Sequence, residues 1–489
     1  MDDFESRYRA VASRDRRFEG RFLVAVTTTG VYCRVGCPSR TPSPDHVRLF
    51  PSPATAEAAG FRACRRCRPD RAGEPDAEAV SRALRLIATG AADEGGIGEI
   101  ARRVGVSLRT LDRRFTAAVG ATPLQLVRSR RVQTARTLIA RSSMPLVDVA
   151  FAAGFGSLRQ FNATMREELG VPPGALRRSD EDAGPVPPAG GREAPDGWLT
   201  LRLSRREPFA AGPLLGFLGT RAIPGVESGD ATGYSRTLRT RGGAAVVDLT
   251  PSGGHVLLRV RLDDLADLED VVRRCRRLLD LDSDPRAVTA DLGRDQLLAP
   301  LVAARPGIRV PGSAEPFETA VRAVLGQQVS VAAARTLAGR LAARHGDPLV
   351  APVGELTHLF PAPERLAGAD LDGLGITGRR VESIRALSRA VAGGAIDLTG
   401  GAPEDFDRTL EALPGFGPWT RAYVAMRARA DPDAIPLSDL GLRRAMERLG
   451  EPGDPTSISR RAESWRPWRA YAALHLWESL SSPAAATAT

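Results

Sequence analysis

Four of the five cysteines lie within the first 67 residues, as two close pairs. Three residues separate Cys33 from Cys37, two separate Cys64 from Cys67, and a spacer of 26 residues joins the pairs. This pattern is typical of one tetrahedral Zn²⁺ held by four thiolates, so the segment must fold to bring both pairs together. From spacing alone, a purely structural zinc site is favoured over a reactive one. The basic residues close to the cysteines are all arginine: Arg34, Arg40, Arg62, Arg65, Arg66 and Arg68.

The composition favours a polyanionic partner. The 489-residue chain is too long for one core and indicates three or four domains. Its net charge is +10, and all 68 basic residues are arginine, with no lysine anywhere. Guanidinium groups suit bidentate contacts to phosphate and guanine, although a GC-rich genome explains the bias itself. The absence of lysine excludes Schiff-base chemistry by a lysine side chain.

The sequence gives no sign of a membrane segment. No apolar run reaches the roughly 18 residues of a transmembrane helix, and the amino terminus (MDDFESRYRA) is acidic rather than signal-like. Zinc-binding thiolates fit a reducing compartment. We therefore expect a cytoplasmic, nucleoid-associated protein that acts as a monomer.

Hydrophobic periodicity predicts a multidomain, mainly α chain. After the cysteine segment, apolar residues recur every three to four positions, which indicates short helices. Stretches in which apolar and polar residues alternate (LTLRLS, HVLLRVRL) indicate a sheet after Trp198. Helical patterns resume after about Pro300 and continue to about Leu480. The predicted units are a small α/β zinc domain (1–75), a helix-turn-helix domain (76–178), a Pro/Gly-rich linker (179–197), a β-rich α+β domain (198–300), an all-α domain (301–480) and a disordered tail (481–489).

The cysteine segment carries a specific resemblance. TTTGVYCRVGC and AAGFRACRRCRPD resemble the amino-terminal domain of the Ada family of DNA alkylation-response proteins, over about residues 1–75. The resemblance implies that Cys33 accepts a methyl group from a DNA methylphosphotriester, while Cys37, Cys64 and Cys67 remain structural ligands. Methylation removes one negative charge, which reduces repulsion from DNA phosphate and favours DNA binding. The family therefore implies a transcription activator whose partners are promoter DNA and RNA polymerase.

Two helix-turn-helix patterns follow the zinc segment. The first joins IGEIARRV to LRTLDRRF, with Ser107 as the expected N-cap, and the second joins LVDVAFAAGF to SLRQFNATM. The pair, ending in ELGVPPGALRR, resembles the AraC-type DNA-binding domain; generic three-helix packing is the alternative. The expected groove-facing residues are Arg109, Thr110, Arg113 and Arg114 in the first copy, and Arg159, Gln160 and Asn162 in the second.

The carboxy-terminal half contains a helix–hairpin–helix motif, LPGFGPWT. Gly415 and Gly417 permit the tight hairpin, and the amides at the next helix start can hold a DNA phosphate. Asp439 follows Gly417 by 22 residues. Together with PFETAVRAVLGQQVSVAAA and WRPWRAYAALHLW, this resembles the helix–hairpin–helix (HhH-GPD) glycosylases, in particular the AlkA (3-methyladenine DNA glycosylase II) branch. The resemblance covers nearly 290 residues, including the sheet-rich segment.

Base excision explains why an aspartate is needed. The damaged base must leave the stack, and cleavage of its N-glycosidic bond builds positive charge on the sugar. We expect Asp439 to stabilise that charge or activate water, with a structural helix N-cap as the alternative. Electron-rich rings bind positively charged alkylpurines, and the resemblance places Trp419, Tyr423 and Trp477 at the pocket. Trp465 and Trp468 are expected to pack in the core.

Several residues restrict the chemistry. Trp419 stands where lyase-active relatives carry a lysine, so a monofunctional glycosylase is expected. No cysteine follows Cys275, which excludes the iron–sulfur cluster of some relatives. Cys275 lies in a charged helical stretch without a Pro-Cys-His motif, so no repair of O6-methylguanine is expected. Gln328 occupies the position of the leucine that wedges into the duplex in the AlkA branch.

Three functional hypotheses follow. The first is a fusion of an alkylation sensor and activator with a glycosylase for alkylated purines. The second is a transcriptional regulator whose glycosylase-like half is a non-catalytic DNA-binding scaffold. The third is a zinc-stabilised repair enzyme without a regulatory role.

Overall fold

The computed structural model describes residues 4–70, 75–88, 90–141, 144–176, 198–264, 267–399 and 403–481. The predicted linker (179–197) and tail (481–489) lie outside them, except for residue 481. We refer to residues 4–70 as the zinc segment, 75–176 as the helix-turn-helix segment, 198–304 as the sheet domain and 316–481 as the hairpin domain. In the part of the chain that the structure describes, no helix is long and apolar enough to cross a membrane.

The zinc segment is a small α/β unit. A helix and a short 3₁₀ turn (Arg16–Phe18) precede a four-stranded sheet of order β3-β1-β2-β4, in which only the β2–β4 pair is parallel. Its elements are α1 (Phe4–Ser13), β1 (Leu23–Val26), β2 (Val31–Cys33), β3 (Val47–Phe50), α2 (Pro53–Ala58) and β4 (Arg62–Ala63).

The helix-turn-helix segment contains both expected motifs. The side chains of Ser107 and Ser157 accept hydrogen bonds from the backbone N–H groups three residues later, so each caps the helix that follows its turn. The long α6 connects the two motifs. The helices are α3 (Pro75–Ala88), α4 (Ala91–Val104), α5 (Leu108–Val119), α6 (Pro123–Arg141), α7 (Leu146–Ala152) and α8 (Leu158–Leu169).

The sheet domain is a five-stranded antiparallel sheet of order β5-β9-β8-β7-β6, covered by helices. Burial alternates along β5, where Leu199, Leu201 and Leu203 are buried, as the alternating sequence predicts. The elements are β5 (Trp198–Ser204), α9 (Ala211–Thr220), β6 (Glu227–Gly229), β7 (Tyr234–Arg239), β8 (Ala244–Ser252), β9 (His255–Leu262), α10 (Leu268–Leu278), α11 (Pro285–Leu292) and α12 (Ala299–Ala304).

The hairpin domain is helical apart from one β-hairpin. The expectation of continuous helix after Pro300 is wrong at β10 (Pro348–Val353) and β11 (Leu356–His358), where Gly354 adopts a positive φ of 56° in the turn. The prolines and valines of PLVAPV disfavour helix there. The helices are α13 (Pro316–Leu325), α14 (Val331–His345), α15 (Pro363–Ala367), α16 (Gly378–Ala392), α17 (Pro403–Glu411), α18 (Pro418–Ala428), α19 (Leu440–Arg448), α20 (Pro455–Ala462) and α21 (Arg469–Ser481).

Hydrophobic cores cross the boundaries between these units. Phe115 of the first helix-turn-helix motif belongs to the same buried cluster as Leu201 and Val272 of the sheet domain. At Gly120, an added Cβ would lie 2.7 Å from the carbonyl oxygen of Arg202, so the end of α5 touches β5. A second cluster joins the zinc segment to the hairpin domain. Sequence periodicity predicts neither contact, because it identifies buried faces but not their partners.

A buried ion-pair network fastens the sheet domain to the hairpin domain. The Arg236 guanidinium on β7 donates to Glu227 Oε1 (3.1 Å) and to Glu318 Oε2 on α13 (2.6 Å). Arg322 donates to both carboxylates, at 2.8 and 3.0 Å. The side chains of Arg236, Glu227 and Glu318 are 2–3% exposed. Each buried charge therefore has a partner of opposite sign.

Replacing Arg236 by methionine would leave the buried carboxylates of Glu227 and Glu318 with Arg322 as the cation that they share. We expect Arg236→Met to destabilise the protein by about 3–5 kcal/mol, because a charge left buried without its partner is costly. Denaturant unfolding measures the change. Arg408→Met removes the exposed pair with Asp405 (3.1 Å) and should cost less than about 1 kcal/mol. Equal effects of the two substitutions would contradict the assignment.

Candidate functional site

The fold of the zinc segment brings the four cysteines together. Parallel pairing of β2 with β4 aligns Val31 with Arg62 and Tyr32 with Ala63, which places Cys33 opposite Cys64 at the strand ends. Tight turns then return Cys37 and Cys67 towards them, through Cys37 N–H to Arg34 O (3.2 Å) and Arg68 N–H to Cys64 O (2.8 Å). All four Sγ atoms lie within 4.8 Å of one another.

This cluster fits a zinc ion. Zn–S bonds of about 2.3 Å in a tetrahedron place sulfur atoms about 3.8 Å apart, and four thiolates are a preferred donor set for Zn²⁺. The backbone N–H of Arg34 lies 3.4 Å from Cys67 Sγ, and the Arg34 guanidinium donates to Cys67 O and Arg68 O at 3.2 Å. Arg34 therefore ties the first ligand loop to the second. Cys33 is 9% exposed and Cys67 is half-buried, so exposure alone does not single out the sulfur that reacts.

The predicted DNA-reading residues lie in the first two turns of α5 and at the start of α8. Arg109 and Arg113 on α5 are exposed, as are Arg159 and Gln160 on α8. Gln160 Oε1 also accepts a hydrogen bond from Gly156 N–H (3.2 Å), so part of its amide supports the turn. Both helix starts therefore present polar side chains to solvent, as insertion into a major groove requires.

The hairpin of the carboxy-terminal half has the expected geometry. Gly415 adopts a φ of 80°, and an added Cβ would lie 2.2 Å from Ser383 Oγ. Gly417 is the N-cap residue of α18, which begins with Pro418. The first-turn amides of α18 have no partners within the helix and are suited to an anionic phosphate.

Asp439 lies at the start of α19 and accepts three hydrogen bonds. Trp419 Nε1 donates to Oδ2 (2.8 Å) and Trp477 Nε1 donates to Oδ1 (2.9 Å). The Leu442 N–H also donates to Oδ1 (3.0 Å), so Asp439 caps the helix. The carboxylate is thus both a helix N-cap and the acceptor of two indole N–H groups. The structure places Asp439, Trp419, Tyr423 and Trp477 together around one cavity of about 850 Å³.

Aromatic and cationic groups form the walls of this cavity. The rings of Trp419 and Tyr423, four residues apart on α18, stack with centroids 5.2 Å apart and planes at 12°. Arg427 Nη1 donates to the Tyr423 hydroxyl (2.6 Å). Burial raises the pKa of Tyr423, but the neighbouring guanidinium groups of Arg427 and Arg221 outweigh this effect and the net shift is downward. The cavity therefore combines stacking surfaces with hydrogen-bond donors.

Gln328 lies at the rim of the cavity rather than in its wall. It is exposed, with a φ of 55°, in the loop between α13 and α14, and its neighbours Val329 and Ser330 line the cavity. Gln327 secures this loop, because its Nε2 donates to Gly415 O (2.8 Å) and to Thr420 Oγ1 (2.9 Å). The loop that carries Gln328 is therefore tied to the hairpin that contains Gly415.

Two residues of this site escape prediction from the sequence. Gln327 joins the loop to the hairpin across 88 residues, and no local pattern indicates such a contact. At Gly441, an added Cβ would lie 2.9 Å from Asp439 Oδ1 and 3.0 Å from Trp477 Cδ1, so only glycine allows their approach. Glycine has a low helix propensity, so its presence in the first turn of α19 is a signal in the sequence for such a close contact.

Comparisons with known proteins agree with this arrangement. Four family models match in succession: the metal-binding domain of Ada (residues 6–70), a helix-turn-helix domain (100–179), the AlkA N-terminal domain (200–315) and the HhH-GPD superfamily of base excision DNA repair proteins (321–470).

A relative from Mycobacterium tuberculosis, a probable bifunctional transcriptional activator/DNA repair enzyme AlkA, is 46% identical over 490 residues, covering 99% of this chain and 97% of its own. The chain belongs to this family of bifunctional activator/repair enzymes. DNA-3-methyladenine glycosylase 2 of Escherichia coli is 37% identical over 283 residues, covering 56% of this chain and 95% of its own. A 3-methyladenine DNA-glycosylase structure from Archaeoglobus fulgidus (TM-score 0.51, 22% identity, 57% and 97% coverage) shares the fold.

We expect the two indole hydrogen bonds to Asp439 to be required for fast base release. Phenylalanine at position 419 or 477 keeps an aromatic ring but removes the N–H donor. A hydrogen bond to a charged group contributes about 1.5–3 kcal/mol, so each substitution should slow single-turnover release of an alkylated base by about 10- to 100-fold.

Trp465→Phe provides the matched control. Trp465 Nε1 donates to Asp295 Oδ2 (2.9 Å) in the core, a bond of the same kind outside the cavity. It should alter stability without slowing the chemical step. Unchanged release rates in Trp419→Phe and Trp477→Phe would contradict the role given to these bonds.

Proposed function

We propose that the chain joins two activities on alkylated DNA: transfer of a methyl group from a DNA methylphosphotriester to Cys33, and hydrolytic release of alkylated purines in which Asp439 acts at the sugar. The observation that carries the proposal is the placement of Asp439 between two indole N–H groups at the wall of an aromatic cavity. A scaffold that only binds DNA requires no carboxylate at such a position.

Base release follows from this geometry. The alkylated nucleotide rotates out of the duplex and its base enters the cavity, stacking against the aromatic walls. The C1′–N bond breaks and its electron pair leaves with the base, which departs neutral if alkylation had made it cationic. Asp439 stabilises the positive charge on the sugar and orients the water whose oxygen bonds to C1′. The proton released by that water passes to the carboxylate or solvent.

Methyl transfer needs a sulfur anion close to DNA. Zn²⁺, when bound, keeps the four thiols deprotonated at neutral pH. Cys33 Sγ attacks the methyl carbon, an S–C bond forms, the C–O bond breaks, and the phosphodiester leaves with the electron pair. Nothing in this step regenerates the thiolate, so the transfer is stoichiometric. The ligand set then carries one negative charge fewer, which favours contact with phosphate.

The DNA-reading helices give this event a regulatory consequence. With Arg109, Arg113, Arg159 and Gln160 exposed at two helix starts, the methylated protein binds promoter DNA and activates transcription through RNA polymerase. We include in the proposal a monomeric protein located in the cytoplasm, on the nucleoid.

A non-catalytic glycosylase-like scaffold is the competing function. One observation favours it: Asp439 caps α19 through the Leu442 N–H, which would explain an aspartate without any chemistry. Asparagine caps helices as well as aspartate does, so exchanging one for the other separates the two roles.

We expect Asp439→Asn to retain the helix cap through its amide oxygen, to lose the indole hydrogen bond at the other atom because an NH2 group cannot accept, and to lose release of 3-methyladenine from duplex DNA. The loss should be at least about 100-fold, because the amide carries no charge to oppose the cationic sugar. Single-turnover assays with methylated DNA measure it. Equal release by both proteins, or none by the wild type, would support the scaffold.

The methyl acceptor is identified by mass spectrometry. After incubation with methylphosphotriester DNA, we expect a single added methyl group on the peptide that contains Cys33, and none on those containing Cys37, Cys64 or Cys67. Cys275→Ala, which removes a buried thiol outside the cluster, should leave the transfer intact. A methyl group on another cysteine would refute the assignment to Cys33.

A further inference from the structure

The zinc segment meets both the sheet domain and the hairpin domain around one arginine. Arg17 Nη1 donates to Asp280 Oδ1 (2.9 Å) and to the Tyr471 hydroxyl (2.5 Å), and its Nη2 pairs with Asp15 (2.5 Å). Tyr471 in turn donates to Asp280 Oδ2 (2.5 Å). The Arg17 side chain is only 13% exposed, so this is a desolvated, fully paired contact between distant parts of the chain.

Apolar groups complete the interface. Phe18 meets the Trp468 ring edge-on at 6.1 Å, and both belong to one buried cluster with Val35, Val302 and Ile435. Val35 lies between the two zinc ligands Cys33 and Cys37. Val35 of the ligand loop therefore belongs to a core that the zinc segment shares with the sheet and hairpin domains.

The same interface reaches the segment that carries Asp439. Arg21 of the zinc segment pairs with Asp431 Oδ1 (3.0 Å), and that oxygen also accepts from Asp433 N–H (2.9 Å). Residues 429–438 connect the end of α18 to Asp439. Arg21 of the zinc segment thus contacts this loop at Asp431. Within the hairpin domain, Arg466 and Arg469 contact the loop at Asp433.

We propose that Arg21, supported by the Arg17 contact, is a positioning residue for base release: it fixes residues 429–438 and through them the Asp439 carboxylate. The inference rests on the proposed glycosylase function and adds a role for the zinc segment in that activity. A small misplacement of a catalytic group can cost about 100-fold in rate, so a tether eight residues away suffices to affect the chemical step.

The geometry also explains why Arg21 is the better residue to test. Arg17 supports Asp15 and Asp280 together, and its removal leaves buried carboxylates that endanger folding. Arg21 pairs with one carboxylate, that of Asp431, which is 13% exposed, whereas the Asp15 and Asp280 carboxylates beside Arg17 are 1% and 6% exposed, so breaking the Arg21 pair costs less. Asp431→Asn retains the acceptor for Asp433 N–H while weakening the bond to Arg21.

The experiment uses the full-length protein and duplex DNA containing 3-methyladenine. We expect Arg21→Met to lower the single-turnover rate at saturating protein by about 10-fold, with the half-saturating concentration unchanged within about two-fold. Arg21→Lys, which keeps the charge, should restore most of the rate. The double variant Arg21→Met/Asp431→Asn should be no slower than the slower single variant, because both remove the same contact.

Arg14→Met is the control. Arg14 also belongs to the zinc segment, is exposed, and donates to Ser39 O (2.9 Å) within it, so its loss should change neither rate nor half-saturation. Hydrogen exchange should rise in residues 429–438 of Arg21→Met and stay unchanged in Arg14→Met.

The outcomes separate this inference from the function on which it rests. A wild-type protein that releases no base overturns the proposed glycosylase. A wild-type protein that releases base as fast as Arg21→Met does, or additive losses in the double variant, overturns the positioning role alone. A change confined to half-saturation would assign Arg21 to DNA binding and also overturn it.

Discussion

The Asp439 carboxylate, bonded to two indole N–H groups and one helix amide, joins the three helices that surround the cavity of the hairpin domain. The bonds to Trp419 and Trp477 join three helices: α18 from the hairpin, α19 behind the carboxylate and α21 near the end of the described chain. Gly441 is required for the approach of α21, and the stacked pair Trp419–Tyr423 is required to complete the cavity wall. The same residues that fix the carboxylate thus create the space in front of it.

The zinc segment and the helix-turn-helix segment pack against the carboxy-terminal domains and are not joined to them by linkers alone. The first helix-turn-helix motif shares a core with the sheet domain, and the ligand loop of the zinc segment packs against the hairpin domain. Such shared cores hold the zinc segment, the first helix-turn-helix motif and the hairpin domain against the sheet domain. The zinc ligand loop is therefore connected to the hairpin domain through a continuous buried core.

Local chemistry made much of the site predictable from the sequence, and long-range packing limited the rest. The cysteine spacing predicts the metal cluster, because four thiolates at these intervals have few other uses. Ser107 marks a helix start by capping and Gly415 marks a tight hairpin by its positive φ, and both lie where expected. The contacts of Arg17 with Tyr471 and of Gln327 with Gly415 span 454 and 88 residues, and no periodicity encodes such pairs. The β-hairpin at Pro348–His358 was missed because short strands inside a helical region give little alternation.

The bonds between Asp439 and the two indoles are best tested by ¹⁵N–¹H spectroscopy of the tryptophan side chains in solution. The chain has five tryptophans, and each gives one indole N–H signal. In Asp439→Asn, we expect the signals of Trp419 and Trp477 to move, because the side chain loses its charge and one of its two acceptor oxygens. Those of Trp465 and Trp468, which donate to Asp295 and Asp291, should stay in place. Stationary Trp419 and Trp477 signals would show that neither indole is bonded to the carboxylate and would contradict the account.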